Sequence, residues 1–462
     1  MPKGMSIMKS HPKEGLSPCS CRTRSGRVRV ANCRLPIANW KSAIGNATLA
    51  LPVLFLGIGS LAHAPAAERQ KLHASVPAVA GRLPALDRLG GTNRLNLVMV
   101  LPLRNRDALD SLLGQLYDPT SPAYHQYLTP GQFAERFGPT RQDYEGVMAF
   151  TKANGLRVRR THANRTLLHV SGTVADIEKA FHVNLRLYQH PTEARRFYAP
   201  DAEPSLDLRV PLLMVSGLDN FGTPRPASRA SYSLRKNPPL ASAAQPSVAG
   251  SGPRGYLIGR DFRAAYALGV TLDGSGQAVG LLQFDGYYSG DILMYQTLAG
   301  LPNVTVTNVL VGDFTGEPGR DNIEVALDIE MAMAMAPGLA KVIVYEADPS
   351  NGPLEILNRM ATDTNSLGQP AARQLSSSWS WPGYPTAGQD QVFKQFAAQG
   401  QSFFQASGDY GAYCGTCPPE PPIESTNITI VGGTTLATSE PSGAWVSETV
   451  WKPGRQSDGS PS

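Results

Sequence analysis

Apolar and polar positions along the chain follow two regimes, separated by a stretch with no periodicity. LNLVMVLP (residues 95–102) predicts a strand and RDALDSLLGQLYD a helix; after the loop-rich TPGQFAERFGPT a second helix is predicted near 141–154. In LRVRRTHA and TLLHVSGT, branched and polar residues roughly alternate, as in two short strands joined by a turn. VADIEKAFHV then reads as a helix and NLRLYQH as a strand. This order predicts a ferredoxin-like α+β sandwich with an added helical hairpin. Residues 222–255 are rich in Pro, Ser, Ala and Arg, and read as a linker open to proteolysis. Beyond them strand patterns alternate with helices: QAVGLLQFD, a helix near 289–299, VTVTNVLV, a helix at 321–336, KVIVYEAD, a helix at 353–365, RQLSSSW, a helix at 387–399, QSFFQAS and NITIVGGTTL. Such alternation predicts an α/β fold with a parallel sheet covered on both faces.

One helix in that series is chemically odd. In DNIEVALDIEMAMAMAPG (321–338), Ile323, Val325, Ala326, Leu327, Ile329 and Met331 cover nearly the whole circumference, so the helix is expected to be buried. Glu324 and Asp328 nevertheless lie one turn apart on a single face. Like charges at that spacing disfavour a helix by a few tenths of a kcal/mol, and burial adds a larger desolvation cost. Asp321 and Glu324 also suit a helix N-terminus, which welcomes acidic side chains; Asp328, in the middle, does not.

Composition changes the picture where charge is located. The formal net charge of +5 divides into +8 for residues 1–66, +9 for 67–255 and −12 for 256–462. The basic balance therefore does not point to nucleic acid. A basic middle segment is instead expected to dock on the acidic one that follows. Near the start, ATLALPVLFLGIGSLAHAPAA is too short and too Gly-interrupted for a stable membrane span. It reads as a secretory segment (1–66) cleaved near Ala66, with translation starting at Met8 or later and a membrane anchor as the other reading. Cys19, Cys21 and Cys33 would leave with it, and CGTC would remain, where Cys414 and Cys417 are expected to form a local disulfide.

All eight His precede the linker (His11, His63, His73, His125, His162, His169, His182 and His190). The C-terminal part thus has no Ser-His-Asp triad, no Cys-His pair and no ordinary His-bearing zinc site. Asp-Thr-Gly and Asp-Ser-Gly elbows are absent too. Hydrolytic chemistry there must use carboxylates. A Glu beside an Asp in a site of low dielectric can share a proton and act as general base for a hydroxyl nucleophile. In FFQASGDYGAY, Asp409 follows an apolar strand, and ligands of open α/β sheets bind beyond strand carboxyl ends. A plain Gly-Asp turn is the other reading.

At these residues the sequence resembles the sedolisin family of serine-carboxyl peptidases, which includes kumamolisin-like enzymes. The matching segments are EVALDIE, SSSW, ASGDYGA, and NITIVGGTTL followed by SETVW. YHQYLTPGQFAERFGPT and VSGTVADIEKAF resemble the family's activation propeptide. The resemblance implies a propeptide domain at 67–221, a maturation linker at 222–255 and a subtilisin-like α/β catalytic domain at 256–462. It makes Glu324 the general base, Asp328 its orienting partner and Asp409 the oxyanion stabiliser, protonated for that role and so favouring acidic operation. Ser378 and Trp379 match the strand lining the substrate cleft; Ser380 stands where the family usually has Gly.

The implied function is that of a secreted, monomeric, acid-acting endopeptidase precursor. Its substrates are proteins or peptides, and its own propeptide is the intramolecular inhibitor. Calcium is the family's metal. Acid is expected to trigger maturation, because a +9 segment on a −12 segment loosens as carboxylates protonate. The family's serine lies in a Gly-Thr-Ser that this sequence does not contain, and WKPGRQSDGSPS does not follow the family's continuation. Gly433-Thr434-Thr435 matches a structural turn instead. The polypeptide therefore reads as truncated, frameshifted or a fragment, without the calcium-ligand region. Two other functions stand beside the peptidase. One is a catalytically dead binding or inhibitory protein built on the propeptide. The other is a glycosidase with paired acids, for which one helical turn is a poor match.

Overall fold

The computed structural model describes residues 69–73, 75–227, 250–409 and 425–451. The expected secretory segment and the Cys414–Cys417 pair lie outside the described residues, as do the interior of the linker and the residues from 452 onward. Among the described residues no helix is long and apolar enough to cross a membrane.

In the first part, a four-stranded antiparallel sheet runs Arg157–Thr161, Leu167–Thr173, Arg94–Val100 and Met214–Ser216. Strand alternation sorts its side chains. Leu97, Met99, Leu168 and Val170 bury against Val147 and Phe150 of the Arg141–Ala153 helix and Ile177 and Phe181 of the Val174–Phe181 helix. Both helices start at a Thr cap, Thr140 and Thr173, whose hydroxyl accepts a main-chain N–H three residues on. One strand belongs elsewhere. Leu185–Gln189, expected as the last strand of this sheet, pairs with Arg196–Pro200 and Asp87–Arg88 in a separate three-stranded sheet. Alternation identifies a strand but not its partner, and the turn after Gln189 folds this one into a local hairpin.

The second part holds six parallel strands in the order Val306–Val311, Lys341–Ala347, Ala278–Gln283, Gln374–Ser377, Ser402–Ala406 and Thr429–Val431. Helices Asn322–Met335, Pro353–Thr362 and Ala387–Ala398 pack on it, and Val325, Ile329, Met333, Ile356, Leu357, Phe393 and Phe396 enter its core. The Asn322–Met335 helix is not buried all round, contrary to expectation. Ile323 and Leu327 are 47% and 43% exposed, because one face alone packs on the sheet.

The outer face of the antiparallel sheet packs on this second part. Val98, Val100, Leu167 and Met214 enclose Leu354 of the Pro353–Thr362 helix. Main-chain N–H groups of the first part donate to the second: Leu128 N–H to Ala398 O at 2.9 Å and Leu103 N–H to the side-chain Gln391 Oε1 at 2.7 Å. The expected charge complementarity appears in Arg160, which pairs with Glu355 and lies 3.8 Å from Asp313, whereas Lys394 and Asp110 pair with the signs reversed at 2.8 Å.

Both described ends of residues 222–255 are held by the second part. Arg225–Pro226 is a strand, antiparallel to Trp379–Ser380. Residues 250–258 are held on the second part, where buried Asp261 accepts the N–H groups of Ser251, Ile258 and Ser442. Neither end has a pattern of its own, since the partner supplies the order.

Candidate active site

Parallel strands deliver their carboxyl ends to one edge of the sheet. Gln283 ends one strand, Ser378 and Trp379 follow the Gln374–Ser377 strand, and Asp409 follows Ser402–Ala406. The Asn322–Met335 helix brings Asp328 to the same edge. Ser378 Oγ donates to Asp328 Oδ1 at 2.7 Å and Gln283 Nε2 to Asp328 Oδ2 at 2.7 Å. Gln283 Oε1 in turn accepts from Trp379 Nε1 at 2.7 Å. Gln283 and Trp379 are fully buried, so this chain of bonds fixes Asp328 in a site of low dielectric. Burial pushes the Asp328 carboxyl up to about 6, against the pull of its bonds from Ser378 and Gln283.

Glu324, one turn earlier, is buried, at 4% exposure. The two acids flagged by spacing thus lie on one helix, Glu324 buried and Asp328 half-buried. Asp409 meets the end of the first part: its main-chain N–H donates to Ala227 O at 3.1 Å, and Ala227 N–H donates to Ser378 O at 2.8 Å. Together with the pairing of Arg225 to Ser380 and Pro226 to Trp379, this runs a short extended segment along the site. Ala227 is 4% exposed there, and Gly408, at φ +88°, brings its backbone close to the Ala227 carbonyl. Such geometry is what a peptide adopts when it adds a strand to a cleft edge.

Sequence reasoning missed three polar groups. Gln283 links Trp379 to Asp328. Asp285 accepts N–H bonds from Gly286 at 2.8 Å, Gly319 at 2.5 Å and Asp321 at 2.6 Å, and so pins the turn that leads into the acid-bearing helix. Burial raises its carboxyl above the usual range, against those bonds. Glu346 stands beside Gln283 in register and is fully buried; burial and nearby Asp285 push it up to about 7. Their signal was present as polar residues interrupting the apolar runs LLQFD and VIVYEAD. Among the described residues no group of three or more His, Cys, Asp or Glu side chains is arranged to hold a metal ion.

Comparison with known proteins bears on the same regions. Residues 85–221 match the family model described as "Pro-kumamolisin, activation domain". The chain is 29% identical over 421 residues to xanthomonalisin of Xanthomonas sp. (strain T-22), covering 80% of this chain and 48% of that protein. It is 30% identical over 379 residues to kumamolisin of Bacillus sp. (strain MN-32), covering 79% and 66%. With sedolisin of Pseudomonas sp. (strain 101) it shares 26% over 401 residues, covering 81% and 65%. The chain thus spans about half to two thirds of the length of these relatives. With an activation domain at residues 85–221 and matches to three such peptidases that run on beyond it, the chain belongs to the sedolisin family of serine-carboxyl peptidases.

Proposed function

We propose that this chain is the precursor of an exported, acid-acting endopeptidase, held inhibited by its own activation domain. In this reading Glu324 is the general base, Asp328 orients it and Asp409 stabilises the oxyanion. Ser378, Trp379 and Ser380 form the edge along which substrate lies. The activation domain is ferredoxin-like and the peptidase unit subtilisin-like. Calcium and a Gly-Thr-Ser serine are the two family features without a counterpart, the first among the described residues and the second in the sequence.

One observation carries the reading. Arg225-Pro226-Ala227 occupies the cleft edge as an antiparallel strand, with Ala227 bonded to both Ser378 and Asp409. A peptide in that position blocks the site while presenting a carbonyl beside Asp409. Maturation then requires a cut between this segment and residue 250, where the chain is anchored again through Asp261.

The test fuses the chain to the carboxyl-terminal portion of kumamolisin and follows new amino termini in a denatured protein at pH 4. Hydrolysis that falls by about 10²- to 10⁴-fold in Glu324→Gln is expected for a general base. A folded chimera that cleaves nothing between pH 3 and 7 overturns the peptidase reading and leaves the inhibitory one.

A further inference from the structure

The sheet face that meets the peptidase unit carries two histidines unused by the chemistry above. His162 follows the Arg157–Thr161 strand and His169 lies within Leu167–Thr173, with ring centroids 5.0 Å apart. On the opposing Pro353–Thr362 helix, Asn358 Nδ2 lies 2.9 Å from His162 Nδ1, and Glu355 Oε2 lies 3.6 Å from His169 Nδ1.

The orientation of Asn358 decides the protonation state it accepts. Its Oδ1 receives hydrogen bonds from Asn164 Nδ2 at 2.6 Å and Thr166 Oγ1 at 3.3 Å, both from the activation domain. Its NH₂ is therefore the group turned toward His162, and His162 Nδ1 must accept, as the neutral ring can and the charged ring cannot. A proton on Nδ1 would set N–H against N–H. Flipping the amide would break two other bonds across the same interface, at a residue with 0% exposure.

Glu355 sets a second limit. It already pairs with Arg160, and its side chain is 4% exposed. One carboxylate would then face Arg160 and the charged His169 ring beside a charged His162, since Asp363 is taken up by Arg359 at 3.1 Å. Asp313, 3.8 Å from Arg160, is largely in solvent. The Tyr144 hydroxyl, which accepts from His162 N–H at 3.2 Å and donates to Leu167 O at 2.6 Å, is pushed up to about 12 by burial and stays neutral. Burial, aided by Arg160 and Arg359, pushes His162 down to about 4; burial, aided by His162 and Arg160, pushes His169 down to about 3. Nε2 of each ring is buried without a hydrogen-bond partner. A cavity of about 190 Å³ lined by His169, Arg159, Arg160, Asp313 and Glu355 gives protons a way in.

We propose that His162 and His169 form the acid-sensitive latch of the zymogen: the neutral His162 ring fastens the activation domain to Asn358, His169 packs beside it in the same buried seam, and protonation of the pair releases the domain. This rests on reading residues 85–221 as a domain that detaches. Undocked, the rings take up protons near 6.5; docked, they cannot until about 4 and 3. Docking is therefore strongest above pH 6.5 and weakens as pH falls, roughly tenfold per ring per pH unit. The overall attraction of +9 for −12 is screened by salt, whereas the buried latch is screened far less.

Hydrogen exchange on the full chain from pH 7 to 3 tests this, read at the Leu103, Leu128 and Ala227 amides, whose acceptors lie on the peptidase unit. The wild type is expected to open on acidification. Replacing both rings (His162→Gln with His169→Gln) keeps polar groups that do not titrate, and is expected to lower the opening midpoint by at least about one pH unit. An unchanged midpoint, with protection at pH 7 intact, overturns the latch. Should the double variant not dock at pH 7, NMR titration of the wild-type rings decides: either ring charging while those amides stay protected overturns it. A wild type that stays closed at every pH refutes release itself. Peptide hydrolysis is not part of the readout, so failure of the peptidase reading is seen separately.

Discussion

Gln283 holds Asp328 with one end of its amide and Trp379 with the other, each at 2.7 Å. The bond to Trp379 Nε1 fixes which end faces the carboxylate, because indole only donates. Gln283→Leu removes both bonds of a fully buried side chain and leaves a carboxylate oxygen and an indole N–H unsatisfied. A loss of about 2–4 kcal/mol is expected from two such orphaned groups. Urea denaturation measures it, and a loss under about 0.5 kcal/mol would mean that water replaces the amide.

Glu346 makes stability fall as pH rises. Its carboxyl ionises near the usual 4.5 when unfolded and near 7 when folded, so the folded state holds the extra proton across that window. Glu346→Gln is expected to leave stability unchanged at pH 4 and to raise it at pH 8 by about 1–3 kcal/mol. Denaturation midpoints at the two pH values check this, and equal effects at both would refute the assignment.

Ala227 joins Ser378 and Asp409 through its own backbone. Ala227→Pro deletes the N–H that Ser378 accepts, at a cost of about 1 kcal/mol. Exchange at the Asp409 amide, which donates to Ala227 O, is expected to speed up several-fold at pH 7. Unaltered exchange would show that the segment is held elsewhere.

Gly259 marks where two helices touch. A Cβ there would lie 1.9 Å from Ala334 Cβ and 2.9 Å from the Tyr295 hydroxyl, which accepts the Gly259 N–H. Gly259→Ala is expected to force the Gly259–Tyr266 helix off the Asn322–Met335 helix, costing about 1–3 kcal/mol. Thermal unfolding measures the cost, and an unchanged midpoint would mean that the contact is loose.

Periodicity in the sequence was enough for the parallel sheet and its helices, because buried strands and amphipathic helices write their burial into alternation. Glu324 and Asp328 were legible for the opposite reason: acids on an apolar helix break the pattern. Gln283 and Glu346 broke theirs too, but a polar residue at a strand end is ordinary, and only register shows them side by side. The partner of Leu185–Gln189 and the strand at Arg225–Pro226 were not legible at all. Their order comes from segments distant in sequence. The His162–Asn358 contact belongs to the same class, being a fact about an interface and not about either segment.

The strand at Arg225–Pro226 is part of the same chain as the cleft it lies along. While the chain is intact, this segment is tethered beside the cleft, so its local concentration is set by the connecting chain and not by how much protein is present. Occupancy of the cleft is then indifferent to dilution. A single cut between Ala227 and Gly250 removes that tether. Retention of the segment becomes a bimolecular equilibrium, which dilution draws toward the free state. The same few hydrogen bonds thus suffice before the cut and fail after it.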